Sequence, residues 1–166
     1  MKTIQLVGDL SYAVKCDSIV DGEGLRVVLF FQGCHAHCRG CQNPKTWNEK
    51  HGKTFFIDEV VNYLLPLLKG KFCEGLTLSG GDPFLQDEGA TELVQKLRLE
   101  IPTLNVWAYT GYLYEEIEKT SQLIKELNVL VDGPFILEKR YPLKRFRGSN
   151  NQRLIRLENG NVTRIE

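Results

Sequence analysis

The chain has 166 residues, 42% hydrophobic and 25% charged, a balance ordinary for one globular domain and far short of the ~250 residues of a closed eight-fold βα barrel. Its 21 basic residues match 21 acidic ones, so net charge makes no case for a nucleic-acid binder. No apolar run reaches the ~20 residues of a membrane span, and the opening MKTIQLVGDL lacks the apolar stretch and small-residue cleavage site of a signal peptide.

Repeats, low-complexity stretches and linkers are absent. Residues 1–166 are therefore expected to form one domain, with a core at about 18–135 and a basic C-terminal segment at 136–166. In chain order, Leu25–Gln32 is a continuous apolar run that predicts a buried strand. A cysteine-bearing loop follows. Ile57, Val60, Val61, Leu64, Leu65 and Leu68 recur at helical spacing, with Asp58 as the expected cap and Pro66 expected to kink or end the helix. Gly75–Ser79 reads as a strand. Ala90, Leu93, Val94, Leu97 and Ile101 mark a helix that Pro102 ends. Leu104–Thr110 reads as a strand, Leu113–Leu127 as a helix and Val129–Val131 as a strand. Asn159-Gly160 between two apolar stretches predicts a terminal hairpin.

Strands alternating with helices predict parallel βα units. Four such strands make an α/β fold with a mostly parallel sheet, as half a barrel or an open curved sheet. Ligands bind such sheets at the carboxyl ends of the strands. The unusual polar segments fall there: the cysteine loop after Gln32, Ser79-Gly80-Gly81-Asp82-Pro83, Thr110-Gly111-Tyr112, and Asp132-Gly133-Pro134-Phe135.

Five cysteines, three of them within eight residues, make a poor disulfide framework and point to metal in a reducing cytoplasm. Cys34, Cys38 and Cys41 supply three thiolates, a ligand type suited to zinc or to an iron–sulfur cluster. Structural zinc asks for four ligands, which His35 and His37 could complete only in a cramped loop. A four-iron cluster also normally takes four cysteines. Three would leave one iron open to an outside ligand.

The Cys34-x3-Cys38-x2-Cys41 loop resembles that of the radical S-adenosylmethionine enzymes, and Ser79-Gly80-Gly81-Asp82-Pro83 is similar to their GGEP segment, with Asp in place of the commoner Glu. Five further stretches occur in the order seen in the glycyl-radical activases of anaerobic ribonucleoside-triphosphate reductases: Asp21–Arg26, Cys41–Trp47, Trp107–Tyr112, Val131–Phe135 and Arg147–Gln152. Gly40 stands where many members of the superfamily carry an aromatic residue, and Gln42 where relatives can carry Tyr.

This resemblance implies a partial, open barrel of the radical S-adenosylmethionine type and one 4Fe–4S cluster per chain on Cys34, Cys38 and Cys41. S-adenosylmethionine would chelate the open iron and be reductively cleaved to a 5′-deoxyadenosyl radical, which takes hydrogen from a glycine of the reductase. Gly40, Cys41 and Gln42 would line the nucleoside side. Ser79, Gly80, Gly81 and Asp82 would hold the methionine side, where a carboxylate suits an ammonium, and Thr110 would be a further contact. Tyr109 and Asp132 are weaker candidates at later strand ends. No side chain is expected as a general acid or base, because the cofactors carry the chemistry.

The implied partners are the glycyl-radical subunit of the reductase and a flavodoxin- or ferredoxin-type electron donor, with no nucleic acid and no membrane; a homodimer is left open. Two other small radical S-adenosylmethionine enzymes fit less well: a pyruvate formate-lyase activase, which runs longer, and a 7-carboxy-7-deazaguanine synthase, which needs a pterin pocket. A zinc-stabilised RNA-binding or scaffold domain lacks both a fourth ligand and an RNA motif. Cys16 and Cys73 read as ordinary thiols, His35 and His37 as polar loop residues, and Trp47 and Trp107 as packing residues.

Overall fold

In the computed structural model, residues 2–166 are described; Met1 of the opening stretch lies outside them. The elements are β1 (Thr3–Leu6), α1 (Leu10–Ala13), β2 (Val14–Ser18), β3 (Arg26–Phe31), β4 (Lys53–Phe56), α2 (Ile57–Leu68), β5 (Gly75–Gly80), α3 (Asp87–Glu100), β6 (Val106–Tyr109), α4 (Tyr114–Ile117), β7 (Val129–Asp132), β8 (Arg153–Glu158) and β9 (Asn161–Ile165). The nine strands form one sheet in the order β4-β1-β3-β5-β6-β7-β8-β9, with β2 also on β3.

At its centre β3, β5, β6 and β7 are mutually parallel, and they are the four strands expected from the apolar runs. Antiparallel strands flank them: β2 and β1 beside β3, β4 beside β1, and the β8–β9 hairpin beside β7. β4 and β9 are free edges, so the sheet does not close into a barrel. Among the described residues no helix is long and apolar enough to cross a membrane.

The two faces of the sheet differ. Val27, Leu29, Phe31, Leu76, Leu78, Val106 and Leu130 point to one face and meet Val60, Leu64, Leu93 and Leu97 of α2 and α3. Burying each such side chain contributes about 1.5–3 kcal/mol. The other face carries a smaller cluster of Trp107, Val129, Val131 and Leu154, with Tyr109 and Phe146 against it. Arg26 lies on this face, 2% exposed. Its guanidinium donates to Thr77 Oγ1 and to the carbonyls of Glu23, Leu76 and Asn105, and stands 5.3 Å from the Trp107 ring centroid. Burial pulls its pKa down to about 10, which still leaves it charged.

Three helix expectations are corrected. α2 runs through Pro66 to Leu68. The carbonyl that Pro66 cannot engage belongs to Asn62, which like Pro66 is on the exposed face, where solvent is open to it. Its start is capped by Glu59, whose carboxylate accepts from the Phe56 N–H at 2.8 Å, while Asp58 pairs with Lys96. The expected helix Leu113–Leu127 is broken into α4 and a 3₁₀ turn at Leu123–Glu126. Asp87 of α3 causes the break by accepting from the Ser121 hydroxyl and the N–H groups of Gln122 and Leu123.

Candidate metal centre and its cavity

Beyond β3 the chain leaves the sheet and returns. Gly33 N–H donates to Thr46 O at 2.6 Å and Cys34 N–H to Trp47 O at 3.1 Å, closing segment 34–47 onto its own start. Buried Gln32 clamps the returning segment by donating to the carbonyls of Lys45 and Asn48. Inside this loop Cys34, Cys38 and Cys41 are each half-buried, and all three line one cavity of about 570 Å³. Cys41 N–H donates to Cys38 O, and Asn43 N–H points at Cys41 Sγ at 3.3 Å. Burial pushes the Cys34 thiol up, against backbone N–H groups of Ala36 and His37 that favour its thiolate.

The two loop histidines are engaged elsewhere. His35 Nε2 lies 2.6 Å from Glu49 Oε1, and His37 stacks on Trp47 with ring centroids 4.7 Å apart. Among the described residues no three His, Cys, Asp or Glu side chains converge as a single ion would require. Cys16 and Cys73 do not line the cavity; Cys73 sits before the amino end of β5, its Sγ near Gly75 O.

The remaining walls come from the carboxyl ends of the other parallel strands. Ser79 and Gly80 end β5 and Gly81 follows it; Tyr109 ends β6 and Thr110 and Gly111 follow it; Gly133 and Phe135 follow β7. Gln42 also lines the cavity. Each of the five ordered stretches sends at least one residue there, including Asp21, Trp47 and Gln152. The indole Nε1 of Trp47 is buried with no acceptor among the described residues.

Gly80 and Gly81 owe their identity to β3. A Cβ on Gly80 (φ +100°) would stand 2.4 Å from Phe31 N, and one on Gly81 would stand 2.2 Å from Gly33 O. The double glycine therefore lets β5 lie against the start of the cysteine loop, and Gly81 N–H and Asp82 N–H donate to Phe31 O and Gly33 O there.

Two expected contacts stand outside the lining, Gly40 and Asp82. Gly40 backs onto Leu137 and Phe135, where an added Cβ would come within 3.0 Å of Leu137; this leaves no room for an aromatic. Asp82 is 1% exposed. Its carboxylate accepts from Thr110 Oγ1, Gly111 N–H and Phe84 N–H, so it ties the ends of β5 and β6 together below the cavity surface. Burial raises its pKa to about 6, with those donors pulling the other way.

Sequence reasoning missed the 142–148 segment, which contributes Lys144, Arg145, Phe146 and Arg147 to the lining. Tyr109 Oη donates to Phe146 O at 2.7 Å, and Phe146 meets Trp107 edge-on at 5.2 Å. Only the Arg147–Gln152 stretch hinted at it.

As a donor set, three thiols in one wall suit a cluster of several irons better than one zinc ion, since a cluster spreads its ligands over a wider span. The cavity's volume lies within the roughly 300–1,000 Å³ of small-molecule sites.

Comparison with known proteins agrees with this chemistry. Residues 20–155 match the family described as a 4Fe-4S single cluster domain. The anaerobic ribonucleoside-triphosphate reductase-activating protein of Enterobacteria phage T4 is 41% identical over 142 residues, covering 84% of this chain and 88% of the relative. Its counterpart from Haemophilus influenzae is 38% identical over 139 residues (81% and 89%), and that from Escherichia coli K12 is 37% identical over 140 residues (81% and 90%). The chain belongs to the family of anaerobic ribonucleoside-triphosphate reductase-activating proteins.

Proposed function

We propose that this protein is a glycyl-radical activating enzyme of the radical S-adenosylmethionine type, acting on an anaerobic ribonucleoside-triphosphate reductase. The observation that carries this reading is one cavity that joins three cysteine thiols, without a fourth, to the glycine-rich end of β5. When bound, a 4Fe–4S cluster and S-adenosylmethionine supply one-electron reductive cleavage and a hydrogen-abstracting radical, whose target is a glycine of the reductase.

The chain's own residues bind and orient. Cys34, Cys38 and Cys41 serve as thiolate ligands. Ser79, Gly80 and Gly81 present backbone to the methionine end, and Gln42 faces the nucleoside end. Asp82 acts as a positioning residue, holding Thr110 and Gly111 against the end of β5. The Trp47 indole N–H is free to meet an acceptor. The four strand ends and the 142–148 segment wall the cavity, and its open mouth leaves room for the partner to cover. No proton is moved by a side chain. The four parallel strands with their cavity at the carboxyl ends support an incomplete barrel of the superfamily's type, in a single domain. A cytoplasmic flavodoxin- or ferredoxin-type protein would deliver the electron.

The test is anaerobic. The protein is reconstituted with iron and sulfide, reduced with dithionite and given S-adenosylmethionine and the reductase. The expected results are 5′-deoxyadenosine and a glycyl radical detected by electron paramagnetic resonance, both lost in Cys38→Ala. Iron-loaded protein that yields neither product would overturn the proposal.

A further inference from the structure

The mouth of the cavity has a charge that the bound cofactors do not explain. Seven of the 21 basic residues lie within positions 139–156, with no acidic residue among those 18. Arg153 and Arg156 are spent in ion pairs with Asp132, Glu115, Glu23 and Glu166. Among the described residues Lys139, Arg140 and Arg145 pair with no carboxylate. Three lining residues are cationic (Lys144, Arg145, Arg147) against the single carboxylate of Asp21. S-adenosylmethionine carries a sulfonium and an ammonium against one carboxylate and a cluster on three thiolates is anionic, so the two together are close to neutral and leave the cations of the mouth unbalanced.

The cations are held in place and set among apolar side chains. Phe146, in the left-handed region at φ +63°, is anchored by Tyr109 and Trp107. Arg145 lies 4.8 Å from the Phe146 ring centroid. Leu143 is 80% exposed and Tyr141 is exposed beside it. Ile19 and Val20 line the cavity while 69% and 63% exposed, and Pro142 and Arg145 are also both exposed and lining. Isolated apolar residues on a surface need no explanation; a group of them around a cationic cavity mouth marks an interaction site. Cations interleaved with apolar side chains fit a protein surface better than a phosphate backbone, which asks for a continuous basic track.

We infer that the cavity mouth at Arg145, Ile19 and Val20, together with the adjoining surface of Lys139, Arg140 and Leu143 that leads into the lining segment 142–148, is the docking surface for the reductase, and that the reductase surface flanking the reacting glycine offers carboxylates among apolar side chains. The inference rests on the activase reading and adds to it the surface used and the chemistry of the partner. Charge complementarity of this kind speeds encounter and fixes orientation.

The experiment measures anaerobic binding of the iron-loaded protein, with S-adenosylmethionine, to purified anaerobic ribonucleoside-triphosphate reductase at low and high salt. The test variant is Lys139→Glu/Arg140→Glu. A control of equal charge change, Lys69→Glu/Lys71→Glu, sits near the amino ends of the parallel strands. The test variant is expected to weaken binding about tenfold at low salt, with the difference shrinking at high salt as screening takes over. The control is expected to bind like the wild type, and partner-free 5′-deoxyadenosine release should be unchanged in both.

Equal binding by the test variant and the wild type, or equal weakening in the control, overturns this docking surface. A random-sequence RNA oligonucleotide that binds and is lost on the same reversal overturns it in favour of nucleic acid. Wild type that neither binds the reductase nor forms a glycyl radical on it overturns the activase reading beneath.

Discussion

Asp82 is a carboxylate with almost no water around it, held by one hydroxyl and two backbone N–H groups. Its ordinary value of 3.8 is raised by burial to about 6. Between those values the folded form keeps a proton that the unfolded chain releases, so its contribution to stability is fullest below pH 3.8 and is lost as pH rises through about 6. The stability of wild type relative to Asp82→Asn is therefore expected to fall between about pH 4 and pH 6 and to level off above. Urea unfolding across that range checks it, and a flat difference would contradict the assignment. The cysteines give a simpler expectation. Cys34→Ala, Cys38→Ala and Cys41→Ala each lower iron per chain after reconstitution, whereas Cys73→Ala does not. At this scale the three thiols and the double glycine were legible in the residues, because spacing and lack of a side chain are sequence properties. The task of Asp82 was not. Whether a carboxylate faces a ligand or a neighbouring loop depends on β6, which lies 24 residues further along. The structural reason for Gly81 was hidden in the same way: the space a side chain would fill there belongs to the backbone of Gly33. Gly81→Val should thus destabilise the metal-free protein by about 1–3 kcal/mol or more, seen as a lower melting temperature.

Between elements, the hold of β8 on β7 depends on a buried charge. Asp132 is fully buried at the end of β7 and accepts from Arg153 of β8 and from Tyr114 N–H. Removing the arginine leaves that carboxylate without its cation, which costs about 3–5 kcal/mol when a buried pair is broken. Arg153→Met is expected to show a loss of that order in urea unfolding, and a loss under ~1 kcal/mol would mean that water reaches Asp132. The Tyr109–Phe146 contact is a weaker tie. Tyr109→Phe should cost about 1 kcal/mol and speed hydrogen exchange in segment 142–148 while leaving β6 protected. Elements with a long apolar run or a clear 3.6-residue period were readable in advance: β3, β5, β6, β7, α2, α3 and the β8–β9 hairpin. β1 and β4 were not, since each has only four residues and two of those are polar. The expected fourth helix failed because its break is imposed by Asp87 from another element.

Across the whole molecule the parallel core is covered on one face by α2 and α3 and flanked on both sides by antiparallel strands. Exchange of backbone amides should accordingly be slowest in β3, β5 and β7 and fastest in the fully exposed edge strand β9. Comparable protection of β9 in dilute solution would show that another chain covers that edge. Strand–helix alternation announced the parallel centre, but the flanking strands depend on long-range pairing, such as Thr3 with Phe56. The closure of segment 34–47 reaches beyond structure. Two backbone hydrogen bonds and the Gln32 clamp fix the ends of the thiol-bearing loop to an already formed sheet, so the cost of arranging the ligands falls on a short excursion and not on the fold. Synthesis and maturation are thereby expected to be separable, with metal-free protein giving the far-ultraviolet circular dichroism of the iron-loaded form; a metal-free chain that is unfolded would contradict this. A molecule stripped of iron by a burst of oxygen would still be a folded scaffold, fit to be repaired in place without being made anew.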